Sequence, residues 1–337
     1  MASEIAAAPE VVARQDQALA PLLTELVLRL RRNPPRVVLT CARGSSAHAA
    51  TFGKHLIERH LGVPVSAAAP SIASLYGQHL QLRGQLVLAI SQSGTSDDLI
   101  AFAENARAAG AITVAITNDQ DAPLAATCDV TLPLGAGEER SIAATKTFVA
   151  TLCVLMRLTA AWAGDVAGLD GPLRRLPRRL AEATSLDWSA AVDAFAATAT
   201  LVTIGRGPTL AIAREAALKL KETCNVHAEA FSSAEFLHGP VALVSARFPL
   251  LMFMPTDAAS KGMRALVQQL REAEAMPLVA EPGLAASGRL PTLVPDQPEA
   301  DAACLIQSFY SMLLGLAERR GVDPNRPRNF NKITRTT

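Results

Sequence analysis

Apolar residues follow two alternating patterns along this chain. Short uninterrupted runs, Val37-Val38-Leu39-Thr40, Leu86-Val87-Leu88-Ala89-Ile90, Ile112-Thr113-Val114-Ala115-Ile116 and Val130-Thr131-Leu132, have the character of parallel strands buried on both faces. Between them lie longer Ala-rich stretches with helical periodicity, among them residues 47–61 and the stretch opened by Leu99-Ile100-Ala101-Phe102-Ala103. Strands alternating with helices predict an α/β fold with a parallel sheet.

The pattern then restarts. Arg36-Val37-Val38-Leu39-Thr40-Cys41-Ala42-Arg43-Gly44 aligns with Ala199-Thr200-Leu201-Val202-Thr203-Ile204-Gly205-Arg206-Gly207, and both reach Arg-Gly before a helical stretch. At the same spacing, Leu86 to Ile90 has its counterpart in Pro249-Leu250-Leu251-Met252-Phe253. The repeat predicts two tandem domains, each a doubly wound parallel sheet with helices on both faces in three αβα layers. The expected organisation is an N-terminal helical segment (1–30), a first domain (31–165), a connecting helical segment (166–195), a second domain (196–320) and a C-terminal tail (321–337). The Gly-, Pro- and Arg-rich stretch 164–177 starts the connection.

The junction after Ile90 carries the first chemical signal. Ser91-Gln92-Ser93-Gly94-Thr95-Ser96 supplies hydroxyls, a carboxamide and a glycine, and Asp97-Asp98 suits the first turn of the helix that follows. A strand–loop–helix junction of this kind points backbone N–H groups and a positive dipole end at an anion, although a Ser-rich loop also serves as a plain helix cap. The second repeat has Met254-Pro255-Thr256-Asp257 at the corresponding place, so one phosphate site per chain is expected.

Composition narrows the class. The chain has 337 residues, half of them apolar and 4 % aromatic, with a formal net charge of +1. Two domains are affordable at that length, while nothing gives an electrostatic or stacking footprint for nucleic acid or an anionic membrane. Cys41, Cys128, Cys153, Cys224 and Cys304 are scattered and lack metal-type spacing, and they read as buried apolar residues in a reducing compartment. No cofactor or metal is called for. The N-terminus lacks a basic stretch followed by an apolar one, and the apolar run 147–156 reads as a core helix, so a cytoplasmic location without membrane attachment is expected.

Three further places could do chemistry. Glu215, Lys219 and Glu222 share one helix face, either as a solvated salt-bridged surface or as a carboxylate tuned by a cation for proton transfer. His238 precedes Gly239-Pro240 in a loop, where a histidine is a candidate acid or base. Lys332 lies in the polar C-terminal tail.

Read together, Ala42-Arg43-Gly44-Ser45-Ser46, the 91–96 loop, Ala144-Thr145-Lys146-Thr147, Ala216-Ala217-Leu218-Lys219-Leu220-Lys221-Glu222, His227-Ala228-Glu229-Ala230, Leu237-His238-Gly239-Pro240 and Pro327-Arg328-Asn329 resemble the double sugar-isomerase (SIS) proteins. Over residues 30–337 the chain is similar to the isomerase half of the glutamine–fructose-6-phosphate aminotransferases. The resemblance implies that Ser91, Gln92, Ser93 and Ser96 hold a sugar phosphate and that Ser45 and Ser46 line the sugar, with Ile142 and Ala144 at further sugar-contact positions. It makes Glu222 the base that moves a proton between C1 and C2, with Glu215 and Lys219 supporting it. His238 becomes the ring-opening group, supplied across a homodimer interface, and Lys332 the lysine that forms a Schiff base with the open-chain ketose.

The departures carry information too. Residue 2 is Ala, and no Cys-led glutaminase segment precedes the first repeat, so the chain is not expected to draw ammonia from glutamine. Arg43 and Ala47 replace the family's Cys and Tyr, and Ala144 replaces a Ser. An Ala-Arg-Gly-Ser-Ser first loop resembles the stand-alone SIS-type amino-sugar-phosphate deaminases. The implied activity is glucosamine-6-phosphate deamination to fructose 6-phosphate and ammonia, by proton transfer stabilised by hydroxyls and amides. Galactosamine-6-phosphate deamination, fructosamine-6-phosphate deglycation, ammonia-dependent synthesis of glucosamine 6-phosphate and a non-catalytic phosphosugar sensor are the rivals.

Overall fold

The computed structural model describes residues 1–164, 168–283 and 286–328. The chain forms two compact units. One is built from Glu10–Glu139 and Lys146–Arg174, the other, among the described residues, from Met1–Pro9, Arg140–Thr145 and residues 175–328.

The N-terminal helix α1 (Ala2–Arg32) contributes its first residues to the second of these units and the remainder to the first. The first unit continues with β1 (Val38–Ala42), α2 (Gly44–Leu61), β2 (Val65–Ala67), α3 (Ser71–Ser74) and β3 (Leu86–Ile90). It is completed by α4 (Asp97–Ala108), β4 (Ile112–Thr117), α5 (Pro123–Thr127), β5 (Val130–Pro133) and α6 (Lys146–Ala163). All pairings are parallel, in the order β2-β1-β3-β4-β5. Every residue of β3 and β4 is buried, which is why both read as unbroken apolar runs. Leu39, Cys41, Val87, Leu99, Phe102 and Ala106 pack α4 onto the sheet.

The second unit repeats this plan. After α7 (Asp170–Thr184) and α8 (Ser189–Phe195) come β6 (Thr200–Gly205), α9 (Thr209–Cys224), β7 (His227–Ser232) and α10 (Ser233–Leu237). Then follow a 3-10 turn over Pro240–Leu243, β8 (Pro249–Phe253), α11 (Ser260–Glu272), β9 (Met276–Ala280), β10 (Arg289–Leu290) and α12 (Pro298–Arg319). Its parallel sheet runs β7-β6-β8-β9-β10, the same order as the first. The register repeats as well: Leu39 pairs with Val87 in one sheet, and their counterparts Val202 and Leu250 pair in the other. The duplication in the sequence is thus a duplication of fold.

Element ends differ from the sequence reading in one consequential place. Residues 47–61 were expected to form the helix after β1, but α2 begins at Gly44, which takes the left-handed conformation (φ +52°). Ser45 and Ser46 therefore lie in the first helical turn rather than in a loop. The Pro-containing connection is helical from Asp170, because Leu169, Leu173, Leu176 and Leu180 recur at helical spacing and are buried. α6 and α12 have the length and apolarity of membrane spans, yet 89 % and 83 % of those stretches are buried inside the protein, as in core helices. All five cysteines are buried thiols, and burial pushes those of Cys41, Cys128 and Cys304 up to about 12 and that of Cys224 to about 11.

Within the second unit, Glu4 fixes the segment that carries Ile142 and Ala144. Its carboxylate accepts from the N–H groups of Arg140 and Ser141. Burial raises its pKa, but the hydrogen bonds from Ser141 and Arg140 outweigh burial and hold it at about 2. A depressed carboxylate stabilises the fold above its ordinary pKa and loses that contribution as pH falls toward the folded value. Glu4→Gln should therefore cost about 2–3 kcal/mol at neutral pH, and the difference from wild type should vanish between about pH 4.5 and 2. Urea titrations across that range check it.

Candidate functional site

Strand order reverses direction between β1 and β3, and in open parallel sheets ligands settle at that switch point, beyond the carboxyl ends of the strands. The ends of β1 and β3 are in register there, with Ala42 opposite Ile90. Two sets of predicted residues leave the sheet side by side: Arg43, Ser45 and Ser46 after β1, and Ser91 to Ser96 after β3.

The 91–96 loop is held open by its own backbone. The Gln92 carbonyl accepts from the Asn118 N–H at 3.1 Å and the Thr117 hydroxyl at 3.3 Å, and the Gly94 carbonyl accepts from the Leu124 N–H at 3.0 Å. Gly94 sits at φ +64°, and a Cβ there would lie 2.6 Å from that of Ala122, so only glycine fits. Ser91 Oγ accepts from the Gly94 N–H at 3.2 Å, and Ser93 Oγ lies 3.0 Å from Thr95 Oγ1. The N–H groups of Gln92 and Ser93 have no acceptor among the described residues. Ser96 is the N-cap of α4, and its hydroxyl makes no capping bond. Unspent N–H groups and a free hydroxyl at a helix N-terminus make this loop a candidate anion seat.

At the corresponding place in the second unit the seat is closed. A Cβ on Gly205 would lie 2.1 Å from the Thr209 carbonyl oxygen, so the first turn of α9 rests directly on the end of β6. The Thr209 hydroxyl, counterpart of Ser46, donates to the Phe253 carbonyl at 2.8 Å and thereby pins β8. The Thr256 hydroxyl, counterpart of Ser93, donates to Asp301 Oδ2 at 2.7 Å.

The second unit holds the candidate acid–base residues instead. α9 places Glu215, Lys219 and Glu222 on one face, as the spacing requires. Lys219 Nζ lies 2.5 Å from Glu222 Oε2 and 3.4 Å from Glu215 Oε1. Of the two expectations for this face, the solvated one is corrected: Glu215 and Lys219 are 0 % and 1 % exposed, because α12 packs over them. Burial alone would lower the Lys219 pKa, but the charges of Glu215 and Glu222 outweigh it and hold the ammonium above its ordinary range. Glu222 keeps 14 % exposure, so it is the member of the trio that a substrate could reach. Tyr310 of α12, buried, donates its hydroxyl to Glu215 Oε1 at 3.2 Å. Sequence reasoning missed this contact, since a lone Tyr in an apolar helix carries no local signal.

His238 caps the C-terminus of α10 and is exposed. Ile142 and Ala144 are half-buried in the segment anchored by Glu4. Lys332 lies outside the described residues. Each candidate is thus placed within its own unit: Ser45, Ser46, Ser91, Gln92, Ser93 and Ser96 in the first, and Ile142, Ala144, Glu215, Lys219, Glu222 and His238 in the second.

Comparison with known proteins fits both the duplication and the motifs. The SIS domain profile matches residues 33–161 and again 195–280, one match over each sheet. The chain belongs to the SIS domain family. Among its SIS relatives, the glutamine–fructose-6-phosphate aminotransferase (isomerizing) of Pseudomonas putida is 32 % identical over 94 % of this chain and 53 % of its own length. The chain spans about half the length of such relatives. A protein of Silicibacter pomeroyi, solved as a candidate phosphosugar isomerase, shares 41 % identity with a TM-score of 0.90, covering 96 % of this chain and 98 % of that one. The glucosamine-6-phosphate deaminase of Thermotoga maritima has a TM-score of 0.75 at 22 % identity, covering 98 % and 99 %, and so shares the fold of this SIS protein.

Proposed function

We propose that this SIS protein is an amino-sugar phosphate deaminase of the isomerising kind, converting glucosamine 6-phosphate and water to fructose 6-phosphate and ammonia. The observation that carries the reading is the α9 trio. A partly exposed carboxylate is held by a buried ammonium, which is itself anchored by a second, fully buried carboxylate. A binding module has no need of such an arrangement, whereas a proton-transfer enzyme requires a carboxylate fixed in one rotamer and kept ionised. The anion seat beyond β3 supplies a place for the phosphate, with Ser45 and Ser46 toward the sugar.

In this reading His238 opens the pyranose ring, acting in the site of a second copy of the chain, and its exposure leaves it free to do so. Glu222 takes the proton from C2 of the open-chain aldose, giving an enolamine, and returns it to C1. The resulting C2 imine adds water and releases ammonia, leaving the ketose. Lys332 is assigned the Schiff-base role that the SIS resemblance implies. Ala144, smaller than the serine usual there, and Arg43 are the departures closest to the choice of sugar.

An ammonia-release assay across glucosamine 6-phosphate, galactosamine 6-phosphate and fructosamine 6-phosphate tests the reading. Fastest release from glucosamine 6-phosphate, with fructose 6-phosphate in equal amount, is expected. Release from another member of the panel alone would move the assignment to that sugar. Binding without release from any of them would leave a sensor.

A further inference from the structure

A phosphate dianion held only by hydroxyls, a carboxamide and backbone N–H groups lacks a compensating charge, and the 91–96 segment contains no cationic side chain. The fold brings one to it. Arg43 ends the loop after β1 as the N-cap residue of α2 (φ −130°, ψ 158°). Its side chain reaches the first turn of α4, the helix that starts at the phosphate loop. There Nε and Nη2 donate to Asp98 Oδ2 at 3.1 and 2.7 Å. The guanidinium thus joins the two loops that flank the switch point.

The form of this contact suggests more than a clamp. An arginine that only ties two loops does so best with two parallel bonds to the two oxygens of a carboxylate. Here both bonds fall on one oxygen, and Asp98 Oδ1 is buried without a partner. Nη1 has no partner among the described residues, and the Arg43 side chain stays 52 % exposed beside an aspartate that is 2 % exposed. Asp98 thus fixes the guanidinium by one edge and leaves the other edge open beside the N-terminus of α4. An ionised Asp98 without Arg43 would oppose a phosphate at that helix end, so the pair also removes a repulsion.

We infer that Arg43 is a substrate-binding residue, the cation of the phosphate seat, and that Asp98 is the positioning residue that aims it. The inference rests on the 91–96 loop being that seat. It does not follow from the resemblance to the isomerase half of the aminotransferases, in which a cysteine occupies this place. The site then selects a dianionic phosphate over a neutral sugar by charge as well as by hydrogen bonds.

The test is calorimetric titration of the intact protein with inorganic phosphate, using wild type, Ser93→Ala, Arg43→Met and the double variant Arg43→Met with Asp98→Asn. The double variant leaves no buried charge unpaired, so it keeps the fold if the single variant does not; melting temperatures verify this. Both Arg43 variants should bind phosphate about 10- to 100-fold more weakly than wild type, with a shallower salt dependence. In turnover, KM for the phosphosugar should rise by a similar factor while kcat changes little. Wild-type affinity in the double variant would overturn the inference, because Arg43 would then serve only to neutralise Asp98. Arg43 variants that bind normally while Ser93→Ala binds poorly would likewise reduce Arg43 to a structural tie. Normal binding by all variants would overturn the inference by removing the phosphate seat itself.

Discussion

Glu222→Gln should lower turnover about 10²–10⁴-fold while leaving folding and phosphosugar binding in place. The amide has the shape of the carboxylate, and its oxygen can still accept from Lys219, which lies 2.5 Å from Oε2 in the native protein. What it cannot do is carry the proton from C2 to C1. The loss should therefore appear in kcat and in kcat/KM alike, with KM little changed, as for a group that acts only in the transition state. Steady-state ammonia release with a thermal melt of the same samples makes the comparison. Turnover close to wild type would take Glu222 out of the chemistry.

Lys219→Met should produce the largest loss of stability. The substitution fills the same space but leaves Glu215, fully buried, and Glu222 without their shared cation. Removing one partner from a buried ion pair typically costs about 3–5 kcal/mol, because a largely desolvated charge loses its counterion. The midpoint of urea unfolding should fall accordingly at neutral pH, and the deficit should shrink in acid as the stranded carboxylates take up protons. The sign at high pH is set by the lysine. Its folded pKa lies above the ordinary value, so its contribution is complete below about pH 10.4 and is lost as pH rises through the folded value. Wild type should thus lose stability in strong alkali in a way that Lys219→Met does not. A variant as stable as wild type at neutral pH would contradict the electrostatic account of the trio.

Much of the architecture was readable from the sequence, because in this fold backbone burial and apolar pattern coincide. β3 and β4 are buried along their whole length, so each shows as an unbroken apolar run, and both lie in one parallel sheet as expected. The alignment of residues 36–44 with 199–207 pointed to two domains of similar topology, and the two sheets share one strand order and, at β1–β3 and β6–β8, one register. The tight turn of the 91–96 loop was legible for a similar reason: only glycine fits at Gly94.

Other features were hidden because they depend on packing from distant segments. Helical spacing puts Glu215, Lys219 and Glu222 on one face, but it does not say whether that face meets water or α12. The difference between a surface salt bridge and a buried ion-pair cluster is decided by Tyr310 and its helix, some 90 residues later. The pairing of Arg43 with Asp98 likewise joins loops from two strands and has no signature in either. The start of α2 was placed three residues late, since Gly44 usually signals a stop and here opens the helix in a left-handed conformation.

The proposed reaction moves a proton from C2 to C1 of an amino-sugar phosphate and then releases ammonia. It is tested most directly by incubating the wild-type protein with glucosamine 6-phosphate in deuterium oxide and following the mixture by proton NMR. The account predicts loss of the amino sugar, appearance of fructose 6-phosphate and deuterium at its C1. Glucosamine 6-phosphate that stays unchanged, with its C2 proton intact, in the presence of folded protein would contradict it.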